Sequence, residues 1–208
     1  MKKIAWITAC MLLVCGAWAQ ETIALPQPEK TGGMSLMEAL DRRATDRGPF
    51  DGEALTVQEL SNLLWAAWGV NRAGGGRTAP SANNSQEIDL YLFTREGGYR
   101  YDAADNALTL ICSGDYRKEV VTRGFGETAV DIFFVANLDK RSGDAEARRL
   151  MSATDSGYIS QNIYLYCASQ GWGTVVYHGS LDRDKVTTLL GLQPNQWVVG
   201  GQSVGRRK

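Results

Sequence analysis

Residues 129–137 read Ala-Val-Asp-Ile-Phe-Phe-Val-Ala-Asn, and this run constrains the fold more than any other part of the chain. It is strongly apolar, rich in β-branched and aromatic residues, and free of glycine and proline, so it reads as a buried strand. A buried strand needs paired neighbours and a covering layer. Ile88–Thr94 and Tyr99–Tyr101 flank Gly97-Gly98 as a hairpin, and Leu108–Ile111, Thr174–Tyr177 and Trp197–Gly201 read as further strands. Ser35-x-x-Glu38 and Thr56-x-x-Glu59 have capping-box spacing. The second opens a helix whose Leu60, Leu63, Leu64, Ala67 and Trp68 share one face. Asp115–Thr122, Asp144–Ser169 and Asp182–Leu190 are also helical in pattern. Gly157 interrupts the longest of these, which suggests close packing of another backbone or of a partner. The strands do not alternate regularly with the helices, so the class is α+β, a mixed or antiparallel sheet flanked by helices, rather than a doubly wound sheet. No repeat or internal boundary divides the domain at 35–208. Residues 20–34, with prolines, glycines and no periodicity, read as a flexible lead-in.

Lys2 and Lys3 precede an apolar run from Ile4 to Val14, and Ala17-Trp18-Ala19 supplies a cleavage pattern, so residues 1–19 read as a signal peptide and the protein as exported to the periplasm. The run is shorter than the roughly 20 residues of a spanning helix, and Val14 before Cys15 argues against lipidation. Cleavage takes 19 residues from 208 and leaves 189, enough for one domain with a sizeable core. Without Lys2 and Lys3, 20 Lys plus Arg face 23 Asp plus Glu, a formal charge of −3. That balance argues against nucleic acid as the main partner. Cys112 and Cys167 sit in apolar surroundings that suit free thiols. A single histidine, His178, leaves a histidine-based metal site without ligands. Gly74-Gly75-Gly76 is not followed by the Lys-Ser/Thr of a phosphate loop, and no Gly-x-Gly-x-x-Gly follows a strand.

The polar groups are gathered elsewhere. Arg77 to Glu87 packs proline, hydroxyls, amides and a guanidinium against the start of a strand, a composition that serves ordinary turns as well as ligand loops. Arg42, Arg43 and Arg47 form a second cationic segment, and Arg206, Arg207 and Lys208 a third. Three separated cationic segments suit a phosphate-bearing cofactor, because a phosphate dianion is best held by several charge-assisted bonds.

Arg43-x-Thr45-x-Arg47 resembles the Arg-x-Ser-x-Arg/Lys motif of the FMN-dependent nitroreductase family, with threonine for serine. Pro80-Ser81-Ala82-Asn83-Asn84-Ser85-Gln86 is similar to that family's Pro-Ser-Ser/Ala-x-Asn-x-Gln loop. Gly171-Trp172-Gly173-Thr174, Tyr177-His178-Gly179 and Leu189-Leu190-Gly191-Leu192 resemble its strand, flavin-facing glycine and following helix. Gly76 to Ser81 and Tyr99-Arg100-Tyr101-Asp102 look most like the SagB-type dehydrogenases. The resemblance implies an intertwined homodimer of nitroreductase-like fold with two FMN sites, each built from both chains. It places Arg43 (flanked by Arg42) and Thr45 on the FMN phosphate and ribityl, and Arg47 at the pyrimidine edge. Pro80, Ser81, Asn84 and Gln86 form one wall, with Tyr177, His178 and Gly179 near N5, where backbone N–H groups rather than the imidazole act. Arg206, Arg207 and Lys208 close on the phosphate, the choice between the two arginines staying open. The implied function is ping-pong transfer of hydride or electrons from a small donor to a small aromatic or quinone-like acceptor. Two alternatives are a SagB-type dehydrogenation of a substrate such as an azoline, and a non-catalytic flavin-binding protein. Glu87 departs from the family's usual proline, and either shapes acceptor choice or simply begins the strand. Trp65 and Trp68 read as core or dimer contacts.

Overall fold

The computed structural model describes residues 21–208, so the signal-peptide reading lies outside the described residues. Its strands are β1 (Thr22–Ala24), β2 (Phe50–Asp51), β3 (Val70–Arg72), β4 (Gly76–Arg77), β5 (Ile88–Phe93), β6 (Gly97–Asp102), β7 (Ala107–Ser113), β8 (Gly126–Glu127), β9 (Val130–Asn137), β10 (Gly173–Tyr177) and β11 (Gln196–Gly205). The helices are α1 (Leu36–Arg42), α2 (Val57–Trp68), α3 (Arg117–Val120), α4 (Ala145–Gln170) and α5 (Arg183–Leu189). Seven strands make one antiparallel sheet in the order β1-β7-β6-β5-β9-β11-β10. Among the described residues, parallel pairing is confined to the two-residue strands β2 and β8.

The apolar run of the sequence is β9, hydrogen-bonded on one side to β5 and on the other to β11. Because side chains alternate across a strand, Ile132, Phe134 and Ala136 enter one core with Leu60, Leu63 and Leu64 of α2 and Ile159 and Ile163 of α4. Phe133 and Val135 enter the other core with Val120 of α3 and Val186 of α5. A strand buried on both faces has no solvated side, which is why its pattern is continuous rather than alternating.

The helix boundaries follow the caps. Ser35 accepts from the Glu38 N–H, Thr56 and Glu59 form a reciprocal capping box, and Asp144 accepts from the Ala147 N–H at the start of α4. That helix closes at Gly171, which adopts the left-handed φ of 71° that glycine takes without penalty. Cys112 and Cys167 are free thiols.

Two expectations need correction and a third is narrowed. Residues 20–34 are not wholly a flexible lead-in: Thr22–Ala24 pairs with Ala107–Thr109 at the sheet edge, and Leu25 is buried. An edge strand of three residues leaves no periodicity to detect. The last strand runs on to Gly205, because β11 is held on both sides by β9 and β10 despite its glycines and polar residues. Gly157 does not receive another segment of this chain; it is exposed, with nothing within 4 Å of where a side chain would begin.

Candidate functional site

Helix α4 organises two groups of polar residues. Toward its C-terminal end lies the segment between α1 and β2. Phe50 anchors that segment: it is fully buried and rests on Gly173 and Gly205, where an added Cβ would come within 2.5 and 2.7 Å of its ring. The Asp46 N–H donates to Thr174 O at 2.9 Å. Thr45 Oγ1 is 3.1 Å from the Tyr164 hydroxyl, which accepts the Val176 N–H at 3.1 Å. The Arg43 guanidinium lies over the Tyr164 ring at 5.5 Å. Together these contacts open a cleft of about 260 Å³ lined by Arg42, Ala44, Tyr164, Trp172, Thr174 and Arg207, among others.

The two C-terminal arginines separate clearly here. Arg206 gives both oxygens of Glu59 a hydrogen bond, at 2.7 and 2.8 Å, and covers the Trp172 ring. Burial pushes the Glu59 carboxyl up, but the Thr56 N–H and the Arg206 bonds outweigh it and hold the carboxyl below its ordinary range. Arg206 is thus committed to the fold. Arg207 lines the cleft and pairs with Asp46 at 2.6 Å, with its side chain 58% exposed. Arg47 and Lys208 are exposed and make no ion pair among the described residues.

Toward the N-terminal end of α4 sits the Pro80–Gln86 loop. Ser81 Oγ accepts the Gln86 N–H at 3.0 Å, and Gln86 accepts from Arg77 Nε and donates to Gly75 O, each at 3.0 Å. Asn83, Asn84 and Gln86 adopt φ of 56°, 52° and 46°. Asparagine tolerates this region; for glutamine it is costly. Asp155 and Tyr164, which anchor the loop and the cationic segment respectively, are nine residues apart on one helix, about 13 Å along its axis. One protomer therefore holds Arg43, Thr45 and Arg207 together. It does not bring Ser81, Asn84 and Gln86 to them.

The third element is the turn after β10. His178 and Gly179 are exposed, and nothing lies within 4 Å of a Cβ at Gly179. Arg183 fastens this turn, donating to His178 O at 2.6 Å and to Val198 O at 3.2 Å. His178 Nδ1 lies 3.2 Å from Val199 O, a contact that requires the proton on Nδ1. The Tyr177 side chain points the other way: it is 6% exposed, packed on Phe125 and Phe133, and burial raises its phenol well above the ordinary value. Only the backbone of Tyr177 can face a ligand. Trp68 is buried in the core, and Trp65 donates to Val70 O.

Glu87 is settled by burial. It is fully inaccessible, accepts from Ser85 Oγ at 2.6 Å and lies 3.8 Å from Arg141. It stands just before β5 with its carboxylate enclosed in the interior. Tyr164, Arg141 and Asp155 were not found from the sequence. Tyr164 lies in the apolar run Ile163 to Cys167, where its hydroxyl is not distinguished from core, and Arg141 and Asp155 acquire meaning only through residues far along the chain. Among the described residues no three metal-ligating side chains gather, and no helix is long and apolar enough to cross a membrane.

Comparison with known proteins gives a consistent answer. The model of the nitroreductase family matches residues 40–206. A Methanocaldococcus jannaschii protein named as a nitroreductase is 28% identical over 167 residues, covering 74% of this chain and 81% of its own. A crystal structure from Ralstonia eutropha JMP134, also described as a nitroreductase, is 39% identical, with a TM-score of 0.83 over 90% of each chain. The NADPH:FMN oxidoreductase of Vibrio harveyi shares the fold, at a TM-score of 0.61 and 20% identity over 83% of this chain and 69% of its own.

Proposed function

The chain belongs to the nitroreductase family, and from that premise we propose that it is an FMN-dependent oxidoreductase acting on small molecules. The observation that carries this reading is the excess of exposed cations around one cleft. Arg42 and Arg207 line this space and Arg43 lies over the ring of Tyr164 in its wall, while Asp46 pairs with Arg207. Arg42 is drawn partly aside by Glu38 at 2.7 Å. Exposed ion pairs contribute little, a median of about 0–1 kcal/mol, so Arg207 and Asp46 can part at small cost when a phosphate arrives. A phosphate offers several charge-assisted bonds at once.

The residues fit FMN in two further respects. Thr45 presents a hydroxyl beside Arg43, already oriented by Tyr164. The open space over Gly179 lets a planar ring approach the backbone of the turn, which Arg183 holds in place. Bound there, FMN would supply the hydride and electron transfer. Arg43, Thr45 and Arg207 would hold its phosphate, and Arg47 would present a fixed positive charge. Such a charge favours a site in which negative charge develops on reduction. The exposed imidazole, tied to Val199 O, orients the turn rather than moving protons.

The same reading takes the working unit to be a homodimer. The loop wall and the cationic cleft lie apart in one protomer, while Leu36 and Met37 of α1 and Leu150 of α4 are 63, 75 and 60% exposed. A second copy covering those helices would bury them and could bring its loop to the first copy's cleft. Export to the periplasm is part of the proposal and leaves the electron donor to be found among small molecules of that compartment.

The test is direct. Purified protein of residues 20–208 should take up FMN, show the visible absorption of a bound flavin, bleach when a chemical reductant is supplied and regain its colour when an acceptor is then added. A protein that neither retains nor rebinds FMN would refute the reading. Flavin that binds but cannot pass electrons to any acceptor would make it a carrier instead.

A further inference from the structure

Loop residues 82–86 hold an unfavourable backbone shape, and a buried charge cluster lies directly behind them. Its location follows from the sheet. In the β5–β9 pair Ile88 faces Ala136, so the residue before β5 lies beside the residues that leave β9. The single turn Leu138–Lys140 then brings Arg141 back toward Glu87. Arg141 Nη1 donates to Ala82 O at 2.7 Å and to Ser85 Oγ at 2.8 Å. From α4, Asp155 Oδ2 accepts the Ala82 N–H at 3.0 Å. The Arg141 guanidinium is 3.8 Å from both Glu87 and Asp155. All three residues are less than a tenth exposed.

The cluster therefore grips both backbone polar atoms of Ala82, the residue that enters the left-handed stretch. It also holds Ser85 and Glu87, which flank Gln86 at its exit. Lys140 adds a bond to Gln86 O at 3.2 Å. Strained backbone persists where the surroundings over-determine it, and here the surroundings are charged and dry. Two carboxylates share one guanidinium, an arrangement that burial makes expensive unless it serves the geometry.

We propose that Arg141, Glu87 and Asp155 are positioning residues that hold the 81–86 loop in the shape that contacts the cofactor, acting through Ala82 and Ser85 and touching neither FMN nor substrate. The proposal rests on the reading of this loop as one wall of the FMN site.

The test uses Asp155→Ala and Asp155→Asn in the mature chain. The amide can still accept from the Ala82 N–H, and it resembles the protonated acid that burial and the neighbouring Glu87 favour; alanine can do neither. Two quantities are read: amide hydrogen exchange of the segment 81–87 without FMN, and the FMN dissociation constant by quenching of flavin fluorescence. Asp155→Ala should speed exchange in that segment and weaken FMN by roughly tenfold, the low end for supports outside a site, with the rest of the exchange map unchanged. Asp155→Asn should restore both. Unchanged exchange and affinity in Asp155→Ala would overturn the proposal, as would an asparagine variant no better than alanine. If the unsubstituted protein binds no FMN, the cofactor reading fails. The exchange comparison still decides whether the cluster sets the loop.

Discussion

The two ends of α4 carry opposite charge imbalances, and they are housed in opposite ways. Behind the Pro80–Gln86 loop, two carboxylates meet one guanidinium in a space closed to water. Around the cleft at the other end, Arg42, Arg43 and Arg207 face two carboxylates, Glu38 paired with Arg42 and Asp46 with Arg207, and Arg207 is more than half exposed. The first arrangement is completed by the protein and is there to fix a shape. The second is left for something else to complete. On the proposed function, a single helix thus separates a region that uses its charges for structure from one that keeps them for the cofactor phosphate.

The contrast is tested most severely by removing one cation from each region. Arg141→Met should cost about 3–5 kcal/mol of unfolding free energy, the usual penalty for leaving buried charge without its partner. Arg43→Ala, at a half-exposed site, should stay within about 0.5 kcal/mol of the parent. Urea denaturation of both variants gives the comparison, and equal losses would dissolve the distinction between the two regions.

Ligand affinity should show the reverse order. If Arg43 holds the FMN phosphate, its loss removes charge-assisted bonds of about 1.5–3 kcal/mol, or roughly 10- to 150-fold in dissociation constant. Because the cleft is open to solvent, affinity should also fall as salt is raised past the point where the screening length drops below about 10 Å. An affinity indifferent to both Arg43→Ala and salt would move the phosphate elsewhere.

A pH titration separates the regions again. Burial, and next to it the charge of Glu87, raise the Asp155 carboxyl, against the Ala82 N–H and Arg141, which lower it. The folded protein then holds that proton more tightly than the unfolded chain. Its contribution to stability is complete below the ordinary carboxylate range and is lost as pH rises toward the raised value. Asp131, fully buried between the Ser203 and Thr128 hydroxyls, has the same sign, moving from 3.8 to about 6. Unfolding free energy measured from pH 4 to 7 should therefore decline in the parent from these two groups. The decline should be shallower in Asp155→Asn, with the Asp131 part retained. Parallel curves would show that the Asp155 carboxyl binds its proton no more tightly in the folded chain than in the unfolded one.

How much of this was legible beforehand depends on the range of the interaction that decides each feature. The N-cap at Ser35, the capping box at Thr56, the helical face of α2 and the buried strand β9 are written in residues within one or two turns of each other, and the structure reproduces them, although Glu38 turns to Arg42 and leaves the Ser35 box half closed. The α+β class follows from the same local patterns. Glu87 could not be assigned because its partner lies 54 positions away, and Tyr177 because alternation along β10 had no fixed phase until β11 paired with it. The edge strand Thr22–Ala24 is too short to show a period, and its existence depends on the free edge of β7. Among the cations, the division between Arg206 and Arg207 was set by Glu59 and Asp46, each more than a hundred residues away.

The smallest effect probes the stretch of α4 between the two regions. Gly157 sits inside a helix, where glycine costs roughly 0.8–1 kcal/mol relative to alanine, and its own chain leaves the space beside it empty. In an isolated protomer Gly157→Ala should therefore raise stability by about that amount. In a dimer whose partner packs against this face, the added methyl group meets the partner's surface, so the gain should shrink or reverse while the dimer dissociates at higher protein concentration. Measuring unfolding and sedimentation of Gly157→Ala over a range of concentrations distinguishes the two. A stabilised variant with unchanged association would place the partner away from this part of α4. The loop of one copy would then have to reach the cleft of the other by some path that leaves Gly157 open, and the shared-site arrangement would lose its simplest geometry.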